Sequence, residues 1–364
     1  MISMLDWLGS RVKVIAEAGI NHNGSPKLAR ELVDAAADAG ADVIKFQTFR
    51  AGQLVTQHAP TAAYQKHATG ENSQWQMLQA LELDQAVLRE LQARAQARGM
   101  EFLSTPFDAG SADFLVQGMQ LPILKIGSGE ITNAPLLLHI AQLQRPVILS
   151  TGMSTLDEIR NALAVLAYGF GGFTTPPGPH SFEAARHTAQ GSRIVQQRVA
   201  LLHCTTEYPA PLAEVNLRAM QTLRETFGLP VGYSDHTQGI VVAGAAVALG
   251  ARVIEKHFTL DPRLPGPDHK ASLAPDEFRT MIRSIRDIES ALGTAEKVPT
   301  VSELPNRLVA RRSLAAIRPI NKGDLFSGDN LGARRPGGGL APVRLWDFLG
   351  KPAARSYAAG DLIE

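Results

Sequence analysis

Cysteine is almost absent: Cys204 stands alone among 364 residues, which excludes an intrachain disulfide and every multi-cysteine metal site. Excess charge of either sign is absent too. Thirty-six basic residues against 35 acidic ones leave a net charge of +1, and no basic run is interleaved with aromatics, which argues against nucleic acid as a partner. An anionic ligand must therefore be met locally. No apolar run approaches the roughly 18 residues of a membrane span. The opening MISMLDWLGSRVKV lacks the charged stretch and long apolar core of an export signal. The expectation is a soluble, unexported protein of the reducing cytoplasm, with no membrane partner.

What the chain has in abundance is alternation. From Val12 onward the β-rich runs VKVIAEAG, ADVIKFQT, EFLSTPF, ILKIGSG, PVILSTG, VALLHC, VGYSDH and RVIEKHF alternate with helical segments. Eight such runs over about 280 residues predict an α/β fold, a (β/α)8 TIM barrel. Ser25 and Pro26 open the first long helix as N-cap and N1, and Gly40 stops it. Ser154 to Leu166 repeats the pattern, with Ser154 and Asp157 as a variant capping box. Past Leu292, GTAEKVPTVSELPN loses apolar periodicity and reads as a linker over 293–307 between a catalytic barrel, 1–292, and a small β-rich domain, 308–364.

Two connections break the rhythm. The stretch from Ala51 to Trp75 follows the second strand on the active face and carries Tyr64, Gln65 and Lys66, so it is expected to act as a lid. The Pro/Gly-rich stretch from Ala167 to Arg198 leads into the sixth strand from the opposite face and reads as mobile and not catalytic.

In such a barrel the chemistry collects where strands run into the following loops. Glu17 ends the first strand; Lys45 and Gln47, two apart, share the interior face of the second. Thr105 ends the third. Lys125, Ser128 and Glu130 mark the fourth, Ser150 and Thr151 the fifth, His203 and Thr205 the sixth. A barrel built only to fold would place Val, Ile and Leu there, and an inward lysine is costly without an anionic partner.

The last two strands end on His236 and His257, and parallel neighbours bring their carboxyl ends to one edge. Two imidazoles can then converge on one divalent cation, Mn²⁺, Mg²⁺ or Zn²⁺, with oxygen ligands left to water or substrate. Asp235, Glu255, Lys256, Asp268, His269 and Lys270 crowd the same edge. Lys45 and Lys125 with the hydroxyls of Thr105, Ser128, Ser150 and Ser234 suit a phosphate and a carboxylate, and Glu17, Glu130 and Asp268 suit sugar hydroxyls or proton transfer. A Schiff-base aldolase using one of the lysines is the competing enzymatic reading, and an ice- or carbohydrate-binding protein without catalysis the competing non-enzymatic one.

Taken in order, IAEAGINHNGS, VIKFQTF, FLSTPFD, LKIGSGEITN, ILSTGM, LLHCTTEYPAP, GYSDHT, IEKHFTLD and GPDHKASL resemble the sialic acid synthase family, the N-acetylneuraminate synthases and their bacterial legionaminic acid relatives. NKGDLFSGDNL followed by RRPGGG is similar to the antifreeze-like (SAF) domain at that family's C-terminus. The resemblance implies metal-dependent condensation of phosphoenolpyruvate, water and an N-acetylated amino-sugar to a nine-carbon 2-keto acid and phosphate. It implies N-acetylneuraminate synthase working on N-acetylmannosamine, or alternatively a legionaminic acid synthase using 2,4-diacetamido-2,4,6-trideoxymannose. GPDHKAS argues against the pseudaminic acid branch. Carried over, His236 and His257 hold the cation, Mn²⁺ before Mg²⁺. Lys45, Thr105, Lys125, Ser128, Ser150 and Ser234 form the phosphoenolpyruvate pocket. Glu17, Gln47, Glu130, Tyr208 and Asp268 serve acid/base and amino-sugar contacts. The resemblance also implies a homodimer in which Arg335 reaches the partner's site. Thr206 departs from the family pattern, which sometimes has Asn after HCT.

Overall fold

The computed structural model describes residues 2–60 and 73–364. Tyr64, Gln65 and Lys66 lie outside the described residues. Two compact units divide the chain, Met1–Gly293 and Thr294–Glu364.

In the first unit eight parallel strands form a nearly closed barrel: β1 (Lys13–Gly19), β2 (Val43–Thr48), β3 (Glu101–Pro106), β4 (Leu124–Ile126), β5 (Val147–Ser150), β6 (Val199–His203), β7 (Val231–Asp235) and β8 (Val253–His257). Their order, β3-β2-β1-β8-β7-β6-β5-β4, places the first strand against the last, and leaves the seam between β3 and β4. The β1–β8 register pairs Ile15 with Glu255 and Glu17 with His257.

Side-chain alternation stacks the interior in layers. At the bottom Ile15, Val43, Leu103, Ile123, Ile148, Ala200, Leu202 and Val253 form one buried apolar cluster. The short helix α1 (Met4–Leu8) closes it from below with Met4, Trp7 and Leu8, anchored by a Trp7 Nε1–Glu101 hydrogen bond of 2.5 Å. Gly232 has to be a glycine, because a Cβ there would lie 2.4 Å from the Val253 carbonyl oxygen and 2.7 Å from Leu202. Two residues beyond Ile15, Val43, Leu103, Ile123, Ile148 and Val253 the interior turns polar, at Glu17, Lys45, Thr105, Lys125, Ser150 and Glu255.

Helix α2 (Pro26–Ala39) starts where the sequence signals it: Ser25 Oγ accepts from the Leu28 amide at 3.3 Å, and Gly40 at φ 90° ends the helix in the left-handed region. Helix α3 (Leu156–Gly171) begins one residue later than expected. Thr155 and Glu158, not Ser154 and Asp157, make its capping box.

The stretch after α3 also differs from expectation. It forms two helices, α4 (Pro179–His187) and α5 (Ala189–Arg198), packed against α3. Phe182 meets Tyr168 edge-on at 5.1 Å between ring centroids, and Ile194 and Val195 join the main core. The prolines occupy only the turn before α4 and its first turn, where proline is tolerated.

The second unit carries a two-stranded antiparallel sheet, β9 (Ser313–Ala316) and β10 (Leu331–Arg334), around its own cluster of Leu314, Ala316, Ile320, Phe326, Leu331, Ala353, Tyr357 and Ile363.

Candidate active site

One cavity of about 290 Å³ opens at the carboxyl ends of the strands. It is lined by thirteen of the fourteen residues singled out above: Glu17, Lys45, Gln47, Thr105, Lys125, Ser128, Glu130, Ser150, Tyr208, Ser234, His236, His257 and Asp268. Arg335 is exposed just past β10 in the second unit. His203 faces outward instead, its Nε2 2.7 Å from the Val215 carbonyl. Thr151 donates to the Leu202 carbonyl and Thr205 to that of Glu214.

The floor of the cavity is a charged cluster. Lys45 forms an ion pair with Glu17 and lies 3.5 Å from Glu255, whose other oxygen is 3.7 Å from Lys125. Thr105 Oγ1 is 3.2 Å from Lys45 Nζ, and Lys125 Nζ donates to Ser150 Oγ at 2.6 Å. Glu255 also accepts from Ser234 Oγ at 2.9 Å. All these side chains are buried.

Burial pushes the Glu17 carboxyl up to about 7 against the pull of Lys45, the Glu255 charge adding to the rise. Burial acts the same way on Glu255, but Lys125 and Lys45 outweigh it and hold that carboxylate down at about 2. Lys45 stays well protonated, because Glu17 and Glu255 overcome its desolvation, whereas burial carries Lys125 below the ordinary ammonium value. Glu255 was read in the sequence only as crowding charge. Its position two residues before His257 puts it on the same inward face, and that period was the available signal.

Above this floor sit the two imidazoles, their centroids 5.5 Å apart, with the Tyr208 ring 4.3 Å from His236 and 5.5 Å from His257. His236 Nδ1 donates to the Thr205 carbonyl at 2.6 Å, which leaves Nε2 as the unprotonated nitrogen. Its other neighbour is Ser234 Oγ at 3.3 Å. His257 Nδ1 is buried without a hydrogen bond, 3.9 Å from Asp268. Burial holds His236 down to about 4 and His257 well below the usual imidazole value. Neutral nitrogens of this kind fit a divalent cation. Among the described residues no group of three or more His, Cys, Asp or Glu is placed to hold a metal ion, so the rest of the coordination would fall to water or substrate oxygens.

Asp268 sits on the loop after β8, its carboxyl raised to about 6 by burial. The loop after β1 holds that segment in place. Asn21 Nδ2 donates to the Phe258 carbonyl at 2.9 Å and to Ser272 Oγ at 2.8 Å, and Asn23 Nδ2 to the Pro265 carbonyl at 2.8 Å. Ile20, Leu54, Val55, Leu78 and Phe107 give the mouth an apolar wall.

A polar, charged mouth on a (β/α)8 barrel, with a separate small β unit after it, defines the class: barrel enzymes whose chemistry sits at the strand ends. The comparisons narrow it. The chain belongs to the NeuB family, whose profile matches residues 32–297, and residues 311–364 match the SAF domain. Over 351 residues it is 48% identical to the N,N'-diacetyllegionaminic acid synthase of Campylobacter jejuni, covering 96% of this chain and 98% of that protein. Its identity to the enzyme of the same name from Legionella pneumophila is 46% over 348 residues, 95% of this chain and 92% of that one. Among solved structures, the N-acetylneuraminic acid synthetase of Leptospira borgpetersenii superposes with a TM-score of 0.65 at 32% identity, covering 82% of this chain and 90% of that one.

Proposed function

We propose that this protein condenses phosphoenolpyruvate, water and 2,4-diacetamido-2,4,6-trideoxymannose to N,N'-diacetyllegionaminic acid and phosphate. The observation that carries the substrate is the contrast in identity: 48% and 46% to legionaminic acid synthases, against 32% to a sialic acid synthetase. N-Acetylneuraminate synthesis, first in order from the sequence, thereby yields to its alternative. The apolar wall of Ile20, Leu54, Val55, Leu78 and Phe107 supports the same choice, since a trideoxy sugar presents a methyl and a second acetamido group where N-acetylmannosamine presents hydroxyls.

In this reading Lys45 and Lys125 meet the phosphate and carboxylate, aided by hydroxyl donors from Thr105, Ser128, Ser150 and Ser234. Lys45, held between Glu17 and Glu255, stays charged, and Lys125 is fixed by Glu255 and Ser150 before the anion arrives. Glu17, poised near neutral pH, is the group to hold and return a proton beside Lys45. Gln47, Glu130, Tyr208 and Asp268 contact the amino-sugar. A divalent cation, manganese before magnesium, held by His236 and His257 would polarise the open-chain aldehyde that the enol carbon attacks.

The test offers both amino-sugars in competition with limiting phosphoenolpyruvate and identifies the product by mass. The diacetamido sugar should be used with kcat/KM at least about tenfold above N-acetylmannosamine, the scale at which a few lost or gained apolar contacts discriminate. Preferential formation of N-acetylneuraminate would overturn the reading.

A further inference from the structure

At the carboxyl ends of β7 and β8, consecutive residues part to opposite sides. His236 and His257 line the cavity, whereas Asp235 and Lys256, which precede them, do not. Asp235 and Lys256 are register partners across the two strands, and neither side chain has any exposed surface. Lys256 Nζ donates to Asp235 Oδ2 at 2.9 Å and to the Thr237 carbonyl. Asp235 Oδ1 accepts from the Thr237 amide at 2.9 Å and from its Oγ1 at 2.7 Å. The network thus grips the chain on both sides of His236 and ties it to the residue before His257.

Stability alone is a poor reason for such a pair. Replacing a fully buried ion pair by well-packed apolar residues is often neutral or stabilising, whereas a closed set of charged hydrogen bonds fixes one spacing. The spacing fixed here is that of the two imidazoles.

We propose that Asp235, Lys256 and Thr237 form a positioning strut that sets the separation of His236 and His257, so that cation affinity depends on three residues that never touch the cation. The inference rests on the cation reading given above. Groups that orient metal ligands from behind typically change metal affinity by 10–100-fold when removed.

Titration of the full-length protein with Mn²⁺, followed calorimetrically and by the electron paramagnetic resonance of free Mn²⁺, tests the strut without reference to turnover. Asp235→Asn and Thr237→Val should weaken Mn²⁺ binding about 10–100-fold, while affinity for inorganic phosphate, read at the lysine side of the cavity, holds. The paired Asp235→Leu/Lys256→Met variant should recover thermal stability but not Mn²⁺ affinity. Should Asp235→Asn fold poorly, Thr237→Val, which removes a single hydroxyl, decides. Wild-type Mn²⁺ affinity in Thr237→Val or in the paired apolar variant refutes the strut, as does a parallel loss of phosphate affinity. Failure of the unaltered protein to bind Mn²⁺ at all removes the cation reading and the strut with it.

Discussion

His22 shows how much proton chemistry this barrel stores in single residues. Its ring is fully buried, Nδ1 accepting from the Gly24 amide and Nε2 without a partner, and burial holds it down to about 4. His269 is likewise at about 4, and His203, His236 and His257 are also depressed. Between pH 4.5 and 6 the unfolded chain protonates these imidazoles more fully than the native state does, so their contribution to stability falls on acidification. Glu17 and Asp268, raised to about 7 and about 6, oppose this by binding protons earlier in the native state. Five groups outweigh two. The melting temperature should therefore drop as pH falls through that window. His22→Gln should reduce the slope by about one proton, or about 1.4 kcal/mol per pH unit. Urea unfolding at a series of pH values measures it, and an unchanged slope would contradict the assignment of His22 as a neutral buried ring.

At the scale of elements, the loop after β1 acts as a clamp on the loop after β8. Asn21→Ala would remove two buried donated bonds and leave the Phe258 carbonyl and Ser272 without that partner, at a cost of about 1–3 kcal/mol. Amide hydrogen exchange should quicken over residues 259–272, and the amino-sugar KM should rise more than that for phosphoenolpyruvate, because Asp268 rides on that loop. Unaltered exchange there would mean the clamp does not order it. The strands were legible in the sequence because period-two alternation and the barrel rule together put Lys45, Lys125, Ser150 and Ser234 at one end. Helices α4 and α5 were not: the prolines before α4 and at its start suggest irregular chain, and the face of α3 they pack on favours the helices. Glu255 escaped for a similar reason, since its worth depends on lysines far away in sequence. The Thr205 carbonyl that sets the His236 tautomer carries no side-chain signal at all.

For the whole molecule, Arg335 raises the question of how many chains make one site. If Arg335 of each chain serves a partner, as the family resemblance implies, a variant lacking it and a variant lacking His257 carry their defects in different halves of the shared site. Mixing unfolded Arg335→Ala and His257→Ala chains in equal amounts and refolding them should restore about a quarter of the wild-type sites, because random closed dimers place both lesions together in half of the mixed sites. Each variant alone should stay near background. No recovery in the mixture would return Arg335 to the chain that bears it.

The pairing of β1 with β8 also sets a timetable for the protein's birth. The strand bearing Glu17 leaves the ribosome long before its neighbour bearing His257, and at about 5–20 residues per second it waits on the order of ten seconds or more with one edge bare. During that interval the nascent chain exposes unpaired strand and apolar surface, the condition under which chaperones are recruited. The ladder that ends the exposure is the one that sets Glu17 beside His257. Concealment of the bare strand edge and the meeting of the cavity's first and last walls are therefore one event.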